Sequence, residues 1–124
     1  MLFRSWAVFG AAGGRDPARR EGMGLAAGRL ADRVVLTNED PRDEDPGAII
    51  EAIASGLRAA GRSEGADFVR IPDRREAIRY AFEHAEPRDT VLLAGKATEP
   101  SMVFADGEER PWNENAIARE LLSK

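Results

Sequence analysis

The sequence predicts an α/β protein, a Rossmann-like three-layer sandwich with a mostly parallel sheet flanked by helices. Three observations carry this. Short apolar runs that stop at glycine or polar residues alternate with longer segments that are apolar at helical spacing. The stretches between runs are long enough for a crossover helix, as parallel pairing requires. Residues suited to start a helix precede three of the four periodic segments.

Trp6 to Gly10 is apolar and reads as a first buried strand, followed by the glycine-rich loop Gly10-Ala11-Ala12-Gly13-Gly14 and a charged stretch with Arg15, Asp16, Arg19 and Arg20. From Ala18 to Asp32 a helix is expected, with Met23, Leu25, Ala26, Leu30 and Ala31 on its apolar side. Arg33 to Thr37 is the second strand, ending in the polar loop Asn38 to Asp45. Asp45 as N-cap and Pro46 at the first helical position open the second helix. Ile49, Ile50, Ile53 and Leu57 share one face of it, and Gly61 stands where it should stop. Asp67 to Ile71 is the third strand. Asp73 and Glu76 form a capping box for a third helix buried through Ile78, Ala81 and Phe82. Thr90 to Gly95 is the most continuously apolar run, which predicts a strand buried on both faces. Ser101 to Phe104 is expected as a short edge strand, and Asn113 caps a last helix carrying Ala116, Ile117, Leu121 and Leu122.

The 124 residues suffice for one core, and residues 6–124 read as one domain. Met1 to Ser5 run straight into the first strand, which predicts a non-native lead-in and a start that is not the natural one. With a net charge of −4 and interspersed signs, the chain lacks the basic face of a nucleic-acid module. It has no apolar run of membrane-spanning length and no signal peptide, so a cytoplasmic protein is expected. Without cysteine and with one histidine, neither a thiolate nucleophile nor a protein-built zinc site is expected.

In an open parallel sheet, ligands bind beyond the carboxyl ends of the strands. Three polar or glycine-rich loops fall there (10–20, 38–45 and 95–100), and they bring Arg15, Arg42, Lys96, Asp40 and Glu99 together. Guanidinium groups suit a carboxylate and carboxylates suit an ammonium, so the set suits a zwitterionic amino acid. The simpler alternative is that Arg15 and Arg42 are surface arginines paired with Asp16, Glu39 or Asp43. The glycine loop matches neither the dinucleotide fingerprint nor the P-loop, and its glycines are explained by a tight turn as well as by an anion cradle. His84 is expected to be solvated, and Trp6 and Trp112 to be packing residues.

Taken in order, these blocks resemble the C-terminal domain of MurE-like Mur ligases. VFGAAGGRD at Val8 to Asp16 is similar to the family's V-F-G-C-G-G-D-R-D, and Gly22 to Ile50 to its M-G-x-x-A…T-x-D-N-P-R-x-E-x-P-x-x-I-I. Ile71 to Ala81, Asp89 to Lys96 and the closing helix resemble further family stretches. The resemblance implies a ligase that joins an amino acid to a UDP-muramyl peptide, using ATP and magnesium, through an acyl phosphate. Its C-terminal domain receives the amino acid (diaminopimelate, lysine or another) and closes over ATP held by a central domain. By motif, Arg15 matches the arginine on the amino acid's carboxylate, Arg42 matches the arginine of D-N-P-R, and Asp40 takes the place of its asparagine. Gly95 and Glu99 match the ends of G-K-G-H-E, which hold the distal groups of diaminopimelate, and Lys96 is a candidate phosphate contact across the domain interface.

Two departures stand out. Asp40 exchanges an amide for a carboxylate, which points away from diaminopimelate. Ala97 replaces a glycine, so a positive φ there would carry strain. The sequence holds no P-loop and no magnesium- or lysine-bearing central domain, so the chain alone is expected to bind an amino acid weakly and to be inactive. No catalytic or metal-binding residue is expected in it. The competing reading is a stand-alone, non-catalytic Rossmann-like binding or interaction module. The apolar start at Leu2, Phe3, Trp6 and Val8, read as an exposed patch, favours a ligase piece missing its neighbouring domains.

Overall fold

The computed structural model describes residues 4–123, so Leu2 and Phe3 lie outside the described residues. Four parallel strands, β1 (Ser5–Phe9), β2 (Arg33–Leu36), β3 (Phe68–Arg70) and β4 (Thr90–Leu93), form a sheet in the order β3-β2-β1-β4. Helices α1 (Ala18–Leu30) and α2 (Pro46–Ala59) cover one face, while α3 (Arg74–His84) and α4 (Glu114–Leu122) cover the other. The three-layer α/β sandwich expected from the sequence is the architecture found.

Side-chain alternation along the strands divides the core in two. Phe9, Val34, Leu36 and Phe68 point to α2 and pack on Ile49, Ile50, Ile53 and Leu57. Trp6, Val8 and Val35 point the other way, onto Ala77, Ile78 and Ala81 of α3. Trp6 and Val8 are thus core residues rather than an exposed patch, and Ser5 is tied into the sheet region through its N–H to Asp32. Trp112 also packs, while His84 is exposed and stacks on Tyr80.

The expected helix starts are present. Asp45 accepts from the Gly47 N–H, Asp73 from that of Glu76 and Asn113 from that of Ala116. Gly61, at φ 85°, follows the end of α2.

Three expectations are corrected. β4 is an edge strand, not one buried on both faces: Val91 and Leu93 pack on the α3–α4 side, but Leu92 is 60% exposed. Its other face is bare because the core on the α2 side is built on β1, β2 and β3. In α1 the buried positions are Arg20, Gly24 and Gly28, whereas Ala26 and Leu30 face solvent. The helix meets α2 backbone to backbone: a methyl group on Gly24 would overlap the Ile53 carbonyl, and one on Gly56 the Glu21 carbonyl. Only glycine permits that approach, so the larger apolar side chains of α1 lie to the side. Finally, β5 (Ser101–Val103) leaves the main sheet and pairs antiparallel with β6 (Glu109–Pro111). This hairpin sits on the loop after β2, where the Val103 carbonyl accepts from the Arg42 N–H and the Asp43 carboxylate from the Asp106 N–H. In α4, Ile117 and Leu121 face the core, and Ala116 and Leu122 face solvent.

Candidate functional site

The loops at the carboxyl ends of β1, β2 and β4 surround a cavity of about 250 Å³, lined by Arg15, Asp40, Arg42 and Glu99 together with Arg19 and Glu39 among others. Four of the six residues expected at the site therefore meet in one place. Gly95 and Lys96 stand behind the wall rather than in it.

The first two loops touch closely. Gly13 donates to the Asp40 carbonyl, and a methyl group on Gly13 would overlap the Pro41 carbonyl. Glu44 closes the contact: its Oε2 accepts from the Gly14 N–H at 2.6 Å, and both its oxygens accept from the buried guanidinium of Arg20 at 2.9 and 3.0 Å. Gly13 thus brings two loops together, a role the sequence reading did not include. Arg42 donates to the Gly13 carbonyl at 3.3 Å. The guanidinium groups of Arg15 and Arg19 have no hydrogen-bond or ion-pair partner among the described residues, so neither pairs with Asp16, Glu39 or Asp43.

Lys96 departs from expectation. It is fully buried, and its ammonium donates to Asp40 Oδ1 at 2.9 Å and to the Ser101 carbonyl at 2.7 Å, and pairs with Glu99 Oε1 at 2.8 Å. Its three protons are engaged, so it offers no phosphate contact in this arrangement. Burial works against its charge, but the two carboxylates outweigh burial and hold its pKa above the ordinary lysine value. Burial likewise works against the Asp40 charge, and the hydrogen bonds from Lys96 and the Val103 N–H outweigh it, leaving that carboxyl below its usual range. The charge of Asp40 is therefore compensated inside the protein. The carboxylate that replaces the family's amide is thus met from within the protein, by an ammonium that it shares with Glu99.

The backbone around this cluster is unusual. Asp40 (φ 38°), Arg42 (φ 56°) and Ala97 (φ 45°) lie in the left-handed region that favours glycine. Ala97 keeps the conformation expected of the glycine it replaces and carries the strain, under ties from Lys96 to Asp40 and Glu99 on its flank. Gly95 has φ 108°, and a side chain there would overlap the Glu39 carboxylate. Glu39 and Arg19 line the cavity and were not among the residues expected there. The pKa of Glu39 is raised, first by burial and also by the neighbouring charges of Asp40 and Glu99, against the pull of Arg74 and Lys96; its half-buried carboxylate accepts no hydrogen bond among the described residues. Its position beside Asp40 in Glu39-Asp40-Pro41-Arg42 was the available signal.

A family model described as Mur ligase, glutamate ligase domain, matches residues 3–97. The chain belongs to the Mur ligase family. It is 52% identical over 120 residues to a UDP-N-acetylmuramyl-tripeptide synthetase of Deinococcus radiodurans, covering 96% of this chain and 24% of that protein. A synthetase of the same description from Roseiflexus sp. is 49% identical over 118 residues, covering 95% and 23%. A solved structure of a UDP-N-acetylmuramoyl-L-alanyl-D-glutamate–2,6-diaminopimelate ligase superposes with a TM-score of 0.85 at 34% identity, over 97% of this chain and 24% of that one. The chain thus spans about a quarter of the length of the curated relatives it matches, and what it matches is the C-terminal domain of these Mur ligases.

Proposed function

We propose that this domain receives the incoming amino acid in a cytoplasmic, ATP- and magnesium-dependent ligase of the MurE type, acting on a UDP-linked muramyl peptide. One observation carries the reading: a single cavity has the unpartnered guanidinium groups of Arg15 and Arg19 and the lightly held one of Arg42 on its wall, together with the carboxylates of Glu39 and Glu99. Guanidinium groups grip a carboxylate in paired hydrogen bonds, and carboxylates hold an ammonium, so the wall suits a zwitterion.

The residues present do not fit ATP or magnesium by themselves. The loop after β1 lacks a Gly-Lys-Ser/Thr end, Lys96 has no free proton, and Asp40 is bound to Lys96. The nucleotide and metal chemistry is assigned to the remaining three quarters of the ligase. What this chain contributes is orientation: the substrate's carboxylate on the arginines would leave its amine directed by the acidic wall, held for attack on an activated carbonyl supplied from outside.

The test is an NMR titration of the 124-residue chain with diaminopimelate, lysine and glutamate. Weak binding is expected, with a Kd on the order of 1 mM, and shifts centred on residues 10–20, 39–42 and 95–99. Arg15→Ala should abolish it. Binding unchanged in that variant, or measurable ATP hydrolysis by the purified chain, would contradict the assignment.

A further inference from the structure

Behind the cavity, one buried guanidinium links the two loops that carry its acidic wall. Arg74 is the first residue of α3, and its side chain is 0% exposed. Its Nε and Nη2 donate to the two oxygens of Glu114, at 2.7 and 2.8 Å. Its Nη1 donates to the Asn38 carbonyl at 3.1 Å, and Nη2 also to the Ala94 carbonyl at 2.9 Å. Asn38 and Ala94 lie just past the ends of β2 and β4, the strands on either side of β1. Glu39 follows the first and Gly95 the second, and those two are in contact.

We infer that Arg74 is a positioning residue for the amino-acid site, fixing the spacing of the 39–42 and 95–99 loops, with Glu114 as its anchor; this rests on the amino-acid reading above. Arg74 itself does not line the cavity. A guanidinium is a planar fork with donors at fixed angles, so two carbonyls and a carboxylate bound to it are held at set separations. Glu114 is fixed in turn by the Trp112 indole N–H at 2.9 Å, on the turn that begins α4. A lysine keeps the charge at this position but not the fork.

Arg74→Lys separates a positioning role from a merely structural one, with Ile53→Ala, a cavity in the opposite core, as the control for lost stability. In ¹H–¹⁵N spectra of the ligand-free chain, Arg74→Lys should shift amides of both loops together, and Ile53→Ala should leave them in place. Affinity for diaminopimelate or lysine should fall by about tenfold or more in Arg74→Lys, the usual scale when a group supporting a binding residue is lost, and stay within about twofold in the control. Should Arg74→Lys not fold, Glu114→Gln keeps the anchor's shape and should move the same amides less. Shifts confined to α3 and α4, or an unchanged affinity in a variant whose loops have moved, overturn the inference. If the unaltered chain binds neither probe while both loops still shift, the amino-acid reading fails and takes the ligand role of Arg74 with it.

Discussion

The α1–α2 layer and the strand-end cavity are assembled by opposite means. The helices meet where side chains are missing, at Gly24, Gly28 and Gly56, with backbone against backbone at Gly24 and Gly56 and one guanidinium, Arg62, on the Gly28 carbonyl at the far end. The cavity loops meet through ion pairs, each with a buried cation: Arg20 with the more exposed Glu44, Lys96 with Asp40, and Arg74 with Glu114. A contact between backbones is governed by volume and is indifferent to pH. A contact between buried charges is governed by whether both partners are present and ionised. The two regions should therefore fail under different perturbations.

The largest effect is expected at the ionic end. Lys96→Met leaves Asp40 buried without its counter-charge, and breaking a buried pair in this way costs about 3 kcal/mol or more; urea denaturation at neutral pH measures it. The pH dependence sharpens the point. Asp40 has a folded pKa below its unfolded value near 3.8, so its contribution is complete above that value and lost as pH falls through the folded one. Lys96 has a folded pKa above 10.5, so its contribution is complete below that and lost as pH rises through the folded value. The stability gap between the protein and its Asp40→Asn variant should thus be flat between about pH 5 and pH 9 and close in acid. A gap that persists undiminished at low pH would mean that Asp40 acts by packing rather than charge.

The helix pair gives an intermediate effect with a change of sign. Gly24→Ala must push α1 off α2 and should lose about 1–3 kcal/mol, at any pH. Gly22→Ala, two residues earlier with open space around it, should gain about 0.5–1 kcal/mol from helix propensity alone. Equal melting shifts in the two variants would break the comparison. The smallest effect is expected from Ala97→Gly, which relieves the residue at φ 45° and should stabilise the chain by about 0.5 kcal/mol.

The same contrast explains what could be read in advance. The caps at Asp45, Asp73 and Asn113, the apolar face of α2 and the order of the parallel strands' elements are local or periodic signals, and each was legible. The buried face of α1 was not, because an apolar stripe is the usual guide and here the buried stripe consists of glycines. The edge position of β4 was hidden for a related reason. Thr90 to Leu93 is apolar throughout, yet whether a helix lies over Leu92 depends on where α1 and α2 settle, which is a property of the whole sheet. At the site, the loops and four of the residues around the cavity came from strand-end position and family resemblance. The burial of Lys96 and the reach of Arg74 did not, since each depends on partners 56 and 40 residues away.

The strand order β3-β2-β1-β4 has a consequence for how the chain reaches this structure. One edge of β1 is filled by β2, with Trp6 opposite Arg33, but the other waits for β4, where Ser5 lies opposite Thr90. The β1-α1-β2-α2-β3 portion can close first around its own core, whereas the pairing of β1 with β4 requires a loop of most of the chain to close, a slow and entropically costly event. The 95–99 loop with Lys96 and the hairpin all follow β4, so the cavity is expected to be completed at the last stage of folding. A chain arrested before that stage would show most of its native helix content and exchange protection in α2, with the strand-end cavity still unassembled.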